Sequence, residues 1–403
     1  MKVYFHFNRT NQFQALLMYI KRAAEEILAK IIKNNKVLII LGARQVGKTT
    51  LIKHFLADRK AVFLNLDIEV DKNRFLALAE LEPSQAMKTM GEPEYLIVDE
   101  AQRLKNTGQI IKGWYDAPVS PKIILLGSSS LDLINQSAES LTGRNEKLFL
   151  SPLLFKEVVA GQPWYSTVYD DSILNKNFSG QINSLLLYSL VFGNYPETVS
   201  TGDKQQYLLN LVSDYLLKDV LQLGLIKTPD LIKKLLMMLA HQAGAEVSVN
   251  ELANNLGMNK ATVNKYLDLL EETFVVFRLP AFSTNPRKEI SKSHKIYFYD
   301  TGIRNAILNE FSLNSLRSDI GQLWENWVVA EFAKHNLLFG RKKNLYFWRS
   351  RAKSEVDLIV KEGEDIYAYE IKWKKQKVNK RAFESQYKVK VRIIDSGNPL
   401  FMD

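Results

Sequence analysis

Short apolar runs alternate with amphipathic segments over the first 150 residues of the chain. The runs are rich in Val, Ile and Leu and have the length of buried strands, while the segments between them carry apolar residues at helical spacing. Strands that alternate with helices predict a parallel sheet covered by helices on both faces. The predicted strands are 37–41, 61–66, 95–98, 122–127 and 147–150.

After this region the pattern becomes mostly helical. Ser248 and Glu251 then form a capping box for a short helix that ends at a glycine, and Asn259 caps a second helix. Two short helices around a glycine turn, followed by a strand at 274–279, predict a winged helix-turn-helix. An interaction spacer without DNA contact is the alternative. The residues that its second helix would present to a DNA groove are Lys260, Thr262, Asn264 and Lys265.

Composition narrows the class of protein. A length of 403 residues suits two to four domains, and the absence of cysteine excludes disulfides, a thiol nucleophile and a thiolate metal site. No apolar run reaches the roughly 18 residues of a membrane span, and the N-terminus lacks the order of a signal peptide. We therefore expect a cytoplasmic protein with no membrane partner.

The charge is unevenly distributed. The net charge is +10, and residues 281–403 carry 23 Lys and Arg against 15 Asp and Glu, which is +8 of the excess. A basic C-terminal third favours a polyanionic partner such as nucleic acid, although an excess of this size is often only a solubilising surface.

The first chemical motif directly follows the strand at 37–41. Gly42, four further residues and the run Gly47-Lys48-Thr49 fit the phosphate-loop pattern G-x-x-x-x-G-K-[ST]. The glycines let the loop form a ring of N–H groups around a polyphosphate. Lys48 is expected to reach the β- and γ-phosphates of ATP, and the Thr49 hydroxyl to bind Mg²⁺. The predicted nucleotide-binding residues are Gly42, Ala43, Arg44, Gln45, Val46, Gly47, Lys48, Thr49, Thr50 and Asp99.

An acidic pair ends the strand at 95–98. We expect Asp99 to hold Mg²⁺ through water, and Glu100 to orient and deprotonate the attacking water. On its own, a strand that ends in Asp-Glu is more often a solvated strand end. The phosphate loop upstream makes a nucleotide site the better interpretation, because ligands bind at the carboxyl ends of parallel strands.

Two further residues are predicted to act near the γ-phosphate. Ser128, or its neighbour Ser129, follows the strand at 122–127 and is expected to sense the γ-phosphate or fix the attacking water. A serine-rich turn is the alternative. Arg144 follows a glycine and is expected to stabilise the transferred phosphoryl group, from the same or a neighbouring subunit. A surface arginine after a helix-capping glycine is the alternative.

A third group of chemical residues lies near the C-terminus. If the hairpin predicted over 354–373 turns at its midpoint, Asp357 lies opposite Glu370. Two facing carboxylates repel each other unless a cation bridges them. Asp357 and Glu370 are therefore predicted Mg²⁺ ligands, and Lys372, on the same face as Glu370, is predicted to orient the attacking water in phosphodiester cleavage.

Glu325 is predicted to complete this metal site. It shares a face of the predicted helix 324–335 with Val328, Val329 and Phe332. A carboxylate on an apolar stripe is costly unless a cation or a donor meets it. An exposed hairpin with alternating charges is the alternative interpretation of the whole group.

Short motifs across nearly the whole chain carry a resemblance to a known family. They are 42–50, 98–102, 127–129, 141–144, 299–302, 324–326, 355–357 and 370–372. The chain resembles bacterial and archaeal ATPases that pair an AAA+-type P-loop domain with a C-terminal domain of unknown function having a restriction-endonuclease-like core. The resemblance implies ATP and Mg²⁺ as cofactors, and a PD-(D/E)xK-like core that carries Asp357, Glu370 and Lys372.

Together these observations predict an α/β multidomain protein with a parallel-sheet P-loop domain, a helical and winged-helix middle, and an endonuclease-like C-terminal domain. The expected function is ATP hydrolysis whose nucleotide state controls a nuclease-like domain that engages DNA. The alternative is a nucleotide-switched regulator or DNA-binding protein whose nuclease-like domain is inactive. The oligomeric state stays open. The predicted parts are a lead-in helical segment 1–35, the P-loop domain 36–152, a helical region 153–230, the winged helix 231–285 and the endonuclease-like domain 286–403.

Overall fold

A computed structural model gives the structure of the chain. It describes residues 19–118, 121–128, 141–216, 229–283, 294–340, 342–350, 352, 354–376 and 380–401. Most of the lead-in segment, up to residue 18, and Ser129 of the predicted γ-phosphate site lie outside the described residues.

A five-stranded parallel sheet forms the first unit, in the order β2-β3-β4-β1-β5. All five residues of β1 are buried, as expected for a strand covered on both faces. The prediction of an α/β fold with a parallel sheet is confirmed. The strands are β1 (Val37–Leu41), β2 (Ala61–Asn65), β3 (Tyr95–Asp99), β4 (Lys122–Gly127) and β5 (Asn145–Phe149).

Helices connect these strands and cover the sheet. The first helix contributes Ala24 and Leu28, both fully buried, to the same apolar core as β1. The lead-in helix is therefore part of this unit. The helices are α1 (Ala24–Ile31), α2 (Lys48–Phe55), α3 (Glu69–Ala79), α4 (Pro83–Thr89) and α5 (Thr107–Tyr115), with a 3₁₀ turn at Ala101–Arg103.

A mostly helical region follows. Its helices pack on the sheet unit on one side and on the C-terminal residues on the other. They are α6 (Phe155–Ala160), α7 (Asp171–Asn177), α8 (Ser179–Phe192), α9 (Pro196–Ser200), α10 (Lys204–Asn210), a π-helix Leu211–Leu216 and α11 (Pro229–His241).

The next two helices, α12 (Val249–Leu256) and α13 (Lys260–Glu272), are capped as the sequence predicts. Ser248 accepts a hydrogen bond from the backbone N–H of Glu251, and Asn259 accepts one from that of Thr262 at 2.8 Å. Gly257 ends α12 with a φ of +63°, which favours glycine.

A three-stranded antiparallel sheet in the order β6-β8-β7 packs beside these helices. It consists of β6 (Glu246–Val247), β7 (Val276–Pro280) and β8 (His294–Phe298). The predicted boundary between residues 285 and 286 passes through this sheet, because β8 lies beyond it and is the central strand. The sequence alone does not reveal that pairing.

The C-terminal part is built on a four-stranded sheet in the order β12-β11-β10-β9, which is antiparallel except for the β11–β12 pair. The backbone of Phe282, just after β7, donates to the carbonyl of Phe347 in β9 at 2.6 Å, so the two smaller sheets are joined. The elements are α14 (Thr301–Leu308), α15 (Ile320–Leu338), β9 (Asn344–Arg349), β10 (Glu355–Glu362), β11 (Asp365–Lys372), α16 (Arg381–Tyr387) and β12 (Val391–Asp395).

None of the helices in the described ranges combines the length and the apolar character that crossing a bilayer requires.

Candidate functional site

A cavity of about 660 Å³ opens at the carboxyl ends of β1 and β3. The phosphate loop and the acidic pair form one side of it, and the chain before α1 together with α9 forms the other. The sequence predicts the first side only. The lining residues are Tyr19, Ile20, Arg22, Arg44, Gln45, Gly47, Lys48, Thr49, Thr50, Asp99, Glu100, Leu153, Pro196, Glu197, Ser200 and Thr201.

The phosphate loop is folded as a compact turn at the start of α2. Gly47 has a φ of +91°, a backbone conformation that residues with a Cβ rarely adopt. A Cβ on Gly42 would lie 1.9 Å from the carbonyl oxygen of Leu150, so only glycine fits where the loop passes the end of β5. Lys48 is buried, and its Nζ donates to the carbonyls of Gly42 at 2.8 Å and Ala43 at 2.9 Å.

The acidic pair meets this loop. The Thr49 hydroxyl donates to Asp99 Oδ2 at 2.6 Å, although the two residues are 50 positions apart in the chain. The parallel sheet causes the meeting, because β3 and the β1–α2 turn end at the same edge. The Thr49 hydroxyl and the Asp99 carboxylate are oxygen ligands of the kind that Mg²⁺ prefers. Lys48 directly precedes Thr49 in the loop.

Glu100 is held in an unusual backbone conformation, with a φ of +50°. A non-glycine residue in this region stores strain, which functional sites often contain. Gln102 Nε2 donates to Glu100 Oε2 at 2.5 Å and to Ser128 Oγ at 3.1 Å, and Ser128 Oγ lies 3.4 Å from Glu100 Oε2. Ser128 therefore contacts the predicted base. Gln102 lies in the sequence motif 98–102, but that motif alone does not predict that Gln102 holds Glu100.

Arg144 lies far from the other predicted catalytic residues. It directly precedes β5, and its carbonyl accepts a hydrogen bond from the backbone of Val37 at the start of β1, so it stands at the amino edge of the sheet. Its guanidinium pairs with Asp116 at 2.9 Å. Arg144 is expected to act from the same or from a neighbouring subunit. Contact with the γ-phosphate from the same subunit is excluded, because the phosphate loop is at the opposite edge of the sheet.

A buried ion pair between Arg22 and Glu157 holds the phosphate loop in place. Arg22 and Glu157 are both about 5% exposed, and Arg22 Nε lies 3.2 Å from both carboxylate oxygens of Glu157. The other guanidinium nitrogens of Arg22 donate to the carbonyls of Val46 at 2.9 Å and Ser151 at 2.7 Å. Arg22 thus ties the phosphate loop to α6. The sequence signal was weak, since Arg22 is a lone arginine in a segment without a motif.

The helical region also holds the phosphate loop, because Tyr207 of α10 donates to Gln45 Oε1 of the loop at 2.5 Å. The side of the cavity formed by α9 is linked to the C-terminal half. Just before α9, the backbone of Asn194 donates to Asp300 Oδ2 at 2.7 Å, and a Cβ on Gly193 would lie 1.8 Å from Asp300 Oδ1. Burial raises the pKa of Asp300 to about 6, although hydrogen bonds from Asn194 and other backbone groups oppose that rise.

The C-terminal hairpin has the predicted register. Leu358 pairs with Tyr369, which places Asp357 and Glu370 opposite each other one step further. Both carboxylates are buried, and Lys372 Nζ lies 3.0 Å from Asp357 Oδ2 and 2.8 Å from Glu370 Oε1. Burial, together with the charge of Asp357, raises the pKa of Glu370 to about 7. The sequence therefore correctly predicts that Asp357 and Glu370 lie opposite each other.

Glu325 has a different partner from the one predicted. Its Oε1 accepts from the hydroxyl of Tyr297 at 2.7 Å and lies 3.2 Å from Nζ of Lys295 in β8. Lys295 also pairs with Glu355 at 2.6 Å. In the part of the chain that the structure describes, no three Asp, Glu, His or Cys side chains are placed to hold a metal ion. The predicted site of three carboxylates is thus not formed there, and Glu325 pairs with Lys295 instead.

Family comparisons divide the chain in three. Residues 34–159 match the family described as "AAA domain", residues 183–314 match a domain of unknown function (DUF8612), and residues 320–397 match a domain of unknown function (DUF4143).

Relatives that align with most of this chain occur in bacteria and archaea. An uncharacterised protein of Mycobacterium tuberculosis is 29% identical over 357 residues, covering 87% of this chain and 74% of the relative. One of Methanocaldococcus jannaschii is 27% identical over 383 residues, covering 90% of this chain and 80% of the relative.

Among solved structures, a Walker-type ATPase of Pyrococcus abyssi has a TM-score of 0.50 and 15% identity, covering 72% of this chain and 96% of that one. At this identity the likeness concerns the fold. Taken with the match to the AAA domain and the parallel five-stranded sheet, it leads to one conclusion. The N-terminal part of this chain is a P-loop ATPase-like domain.

Proposed function

We propose that the protein binds ATP with Mg²⁺ in the cavity at the phosphate loop and hydrolyses it. The observation that carries the proposal is the contact between Thr49 and Asp99 beside Lys48, at the mouth of a cavity of about 660 Å³. Three residues with the required chemistry, drawn from two separate strand ends, meet at the N-terminus of α2. The positive end of a helix and the free N–H groups of its first turn suit an anion.

The residues present fit a magnesium ion. Thr49 and Asp99 would hold it, Thr49 through its hydroxyl and Asp99 through water, with the nucleotide phosphates supplying further oxygens. The bound ion would neutralise charge on the phosphates. Lys48 now donates to two loop carbonyls, and phosphate oxygens would replace these carbonyls as acceptors of its hydrogen bonds.

Glu100 is the proposed base. Gln102 holds its carboxylate, and Ser128 lies within reach of both, so the three side chains can orient one water molecule beside the γ-phosphate. Arg144 can contribute to catalysis only from a neighbouring copy of the chain, given its place at the amino edge of the sheet.

We further propose that nucleotide binding is communicated to the C-terminal half through the segment before and within α9. Pro196 and Glu197 line the cavity, and Asn194, two residues earlier, is bonded to Asp300. Asp300 caps α14, whose Asn305 donates to the carbonyls of Leu190 at 3.0 Å and Val191 at 2.8 Å. A nucleotide that moves α9 must therefore also move α14, or break the hydrogen bond between Asn194 and Asp300.

The proposed target is DNA. The paired helices α12 and α13 with the adjoining sheet suit a winged helix, and Lys260, Asn264 and Lys265 of α13 are exposed, as base or phosphate contacts must be. For the nuclease-like C-terminal part, the pairing of each carboxylate with a lysine favours the second candidate function, a nucleotide-switched DNA-binding regulator without cleavage.

The decisive experiment compares the parent with Lys48→Ala. We expect loss of binding of a fluorescent ATP analogue and of phosphate release, because the Lys48 ammonium is the phosphate-binding cation of the loop. Lys53→Ala is the matched control, since Lys53 is an exposed lysine on the same helix, and it should behave as the parent. Full ATP turnover by Lys48→Ala would refute the site assignment.

The same variants test the coupling to DNA. The parent should bind duplex DNA with a different affinity when ATP is present, and Lys48→Ala should not show this difference. Binding should also weaken steeply with salt if phosphates are contacted. DNA affinity that is independent of both ATP and salt would refute the regulator proposal.

A further inference from the structure

Two lysines divide the four carboxylates of the C-terminal cluster between them. Lys372 bridges Asp357 and Glu370. Lys295 reaches in from β8, outside the four-stranded sheet, and bridges Glu325 at 3.2 Å and Glu355 at 2.6 Å. The cluster is therefore two lysine-bridged pairs, and its carboxylates do not converge on a common point.

Lys295 is fixed in this place by its surroundings. Its side chain is only 4% exposed, and its ammonium lies 5.5 Å from the centre of the Phe347 ring. Its backbone sits in the central strand of the β6-β8-β7 sheet, where it pairs with Glu246 and with Leu279. If this lysine turned out to solvent, Glu325 and Glu355 would lose their shared cation.

The position of this ammonium also opposes metal binding. It lies 3.2 Å from a carboxylate oxygen of Glu325 and 2.6 Å from one of Glu355. A positive charge between the two carboxylates repels any divalent cation that approaches them.

We propose that Lys295 occupies the place beside Glu325 and Glu355 that a divalent metal would need, so that the cluster is neutralised from within and the C-terminal part works without a metal. The inference goes beyond the proposed function and does not depend on ATP binding. It makes the nuclease-like part a binding module whose acidic cluster stabilises the joint between β8, α15 and β10.

The test measures Mn²⁺ binding to the full chain, without nucleotide, by electron paramagnetic resonance of free Mn²⁺. The parent and Asp357→Asn should take up Mn²⁺ equally, because no metal sits on the cluster. Lys295→Met should gain one Mn²⁺ site, at least about 100-fold tighter than any binding by the parent cluster, since a nearby like charge is gone. Adding Glu325→Gln to Lys295→Met should remove that site again, because Glu325 is one of the two carboxylates that Lys295 bridges.

Lys334→Met is the matched control. Lys334 is another buried lysine, paired with Glu331, and its loss should create no Mn²⁺ site. Mn²⁺ binding by the parent that disappears in Asp357→Asn would overturn the proposal, as would Mn²⁺-dependent nicking of plasmid DNA that the same change abolishes. A folded Lys295→Met variant without new Mn²⁺ binding would overturn it too. If Lys295→Met does not fold, the comparison of the parent with Asp357→Asn still decides.

Discussion

Replacing Asp300 by asparagine should change how the stability of the protein depends on pH. Asp300 is 5% exposed and accepts three backbone hydrogen bonds, from Asn194 at 2.7 Å, Gly302 at 2.9 Å and Ile303 at 3.3 Å. An asparagine side chain has one acceptor oxygen and one NH₂ group, so it cannot accept from both Asn194 and Gly302. The lost hydrogen bond alone should destabilise the variant by about 1–3 kcal/mol, because a buried donor is left unpaired.

The informative quantity is the slope of stability against pH. Burial raises the pKa of Asp300 from an ordinary 3.8 to about 6, so the folded chain binds this proton more tightly than the unfolded chain. The resulting stabilisation is fully present below pH 3.8 and is lost as the pH rises through about 6. The difference amounts to about 3 kcal/mol, at about 1.4 kcal/mol per pH unit. Asp300→Asn carries no such proton and should lack this part of the slope.

Urea unfolding followed by tryptophan fluorescence at several pH values between 4.5 and 7 measures the effect. Over this range the parent should lose about 2 kcal/mol relative to Asp300→Asn, so that the two curves converge as the pH rises. The difference between the curves isolates Asp300, since every other titrating group is shared. Parallel curves would show that Asp300 titrates near its ordinary value, and that the junction between α9 and α14 is wetter than the structure indicates.

Two further substitutions test the support of the phosphate loop. Arg22→Met should destabilise the protein by about 3–5 kcal/mol and weaken ATP binding, because Glu157 is left buried without its cation. The exposed neighbour change Lys21→Met should do neither, and equal melting of the two variants would contradict the role of Arg22. Gly42→Ala should abolish ATP binding, because the new Cβ would lie 1.9 Å from a backbone oxygen that cannot move away. Gly113→Ala, where a Cβ meets nothing within 4 Å, is its control in fluorescence-based binding, and normal ATP affinity in Gly42→Ala would contradict the geometry.

The sheet and the phosphate loop could be predicted because their signals are local. The apolar run at 37–41, the spacing from Gly42 to Lys48 and the acidic pair after 95–98 each lie within a few residues. The sequence also predicts that Asp357 and Glu370 lie opposite each other, since the alternation of side chains in a hairpin and the midpoint of its turn fix the register.

Contacts between distant residues could not be predicted in this way. Arg22 meets Glu157 across 135 positions, and Asn194 meets Asp300 across 106. The sequence predicts a metal beside Glu325, whereas its partners are Lys295 and Tyr297, on a strand that the sequence pattern does not reveal. Pairings of this kind depend on how finished elements pack.

For Arg144, the direction of the sheet excludes action within the same subunit. The residue just before a parallel strand lies at the amino edge of the sheet, whereas nucleotides bind at the carboxyl edge. Because Arg144 precedes the strand predicted at 147–150, the sequence already places it at the edge of the sheet away from the nucleotide.

The central position of β8 determines how the protein can be cut into fragments. A fragment that ends at residue 285 would keep β6 and β7 but lose the strand that lies between them and pairs with both. Two unpaired strand edges would then face water, together with the apolar surface that β8 covers, and such edges recruit other chains. Expression of residues 1–285 alone should therefore yield aggregates, even if the five-stranded parallel sheet in that fragment folds correctly.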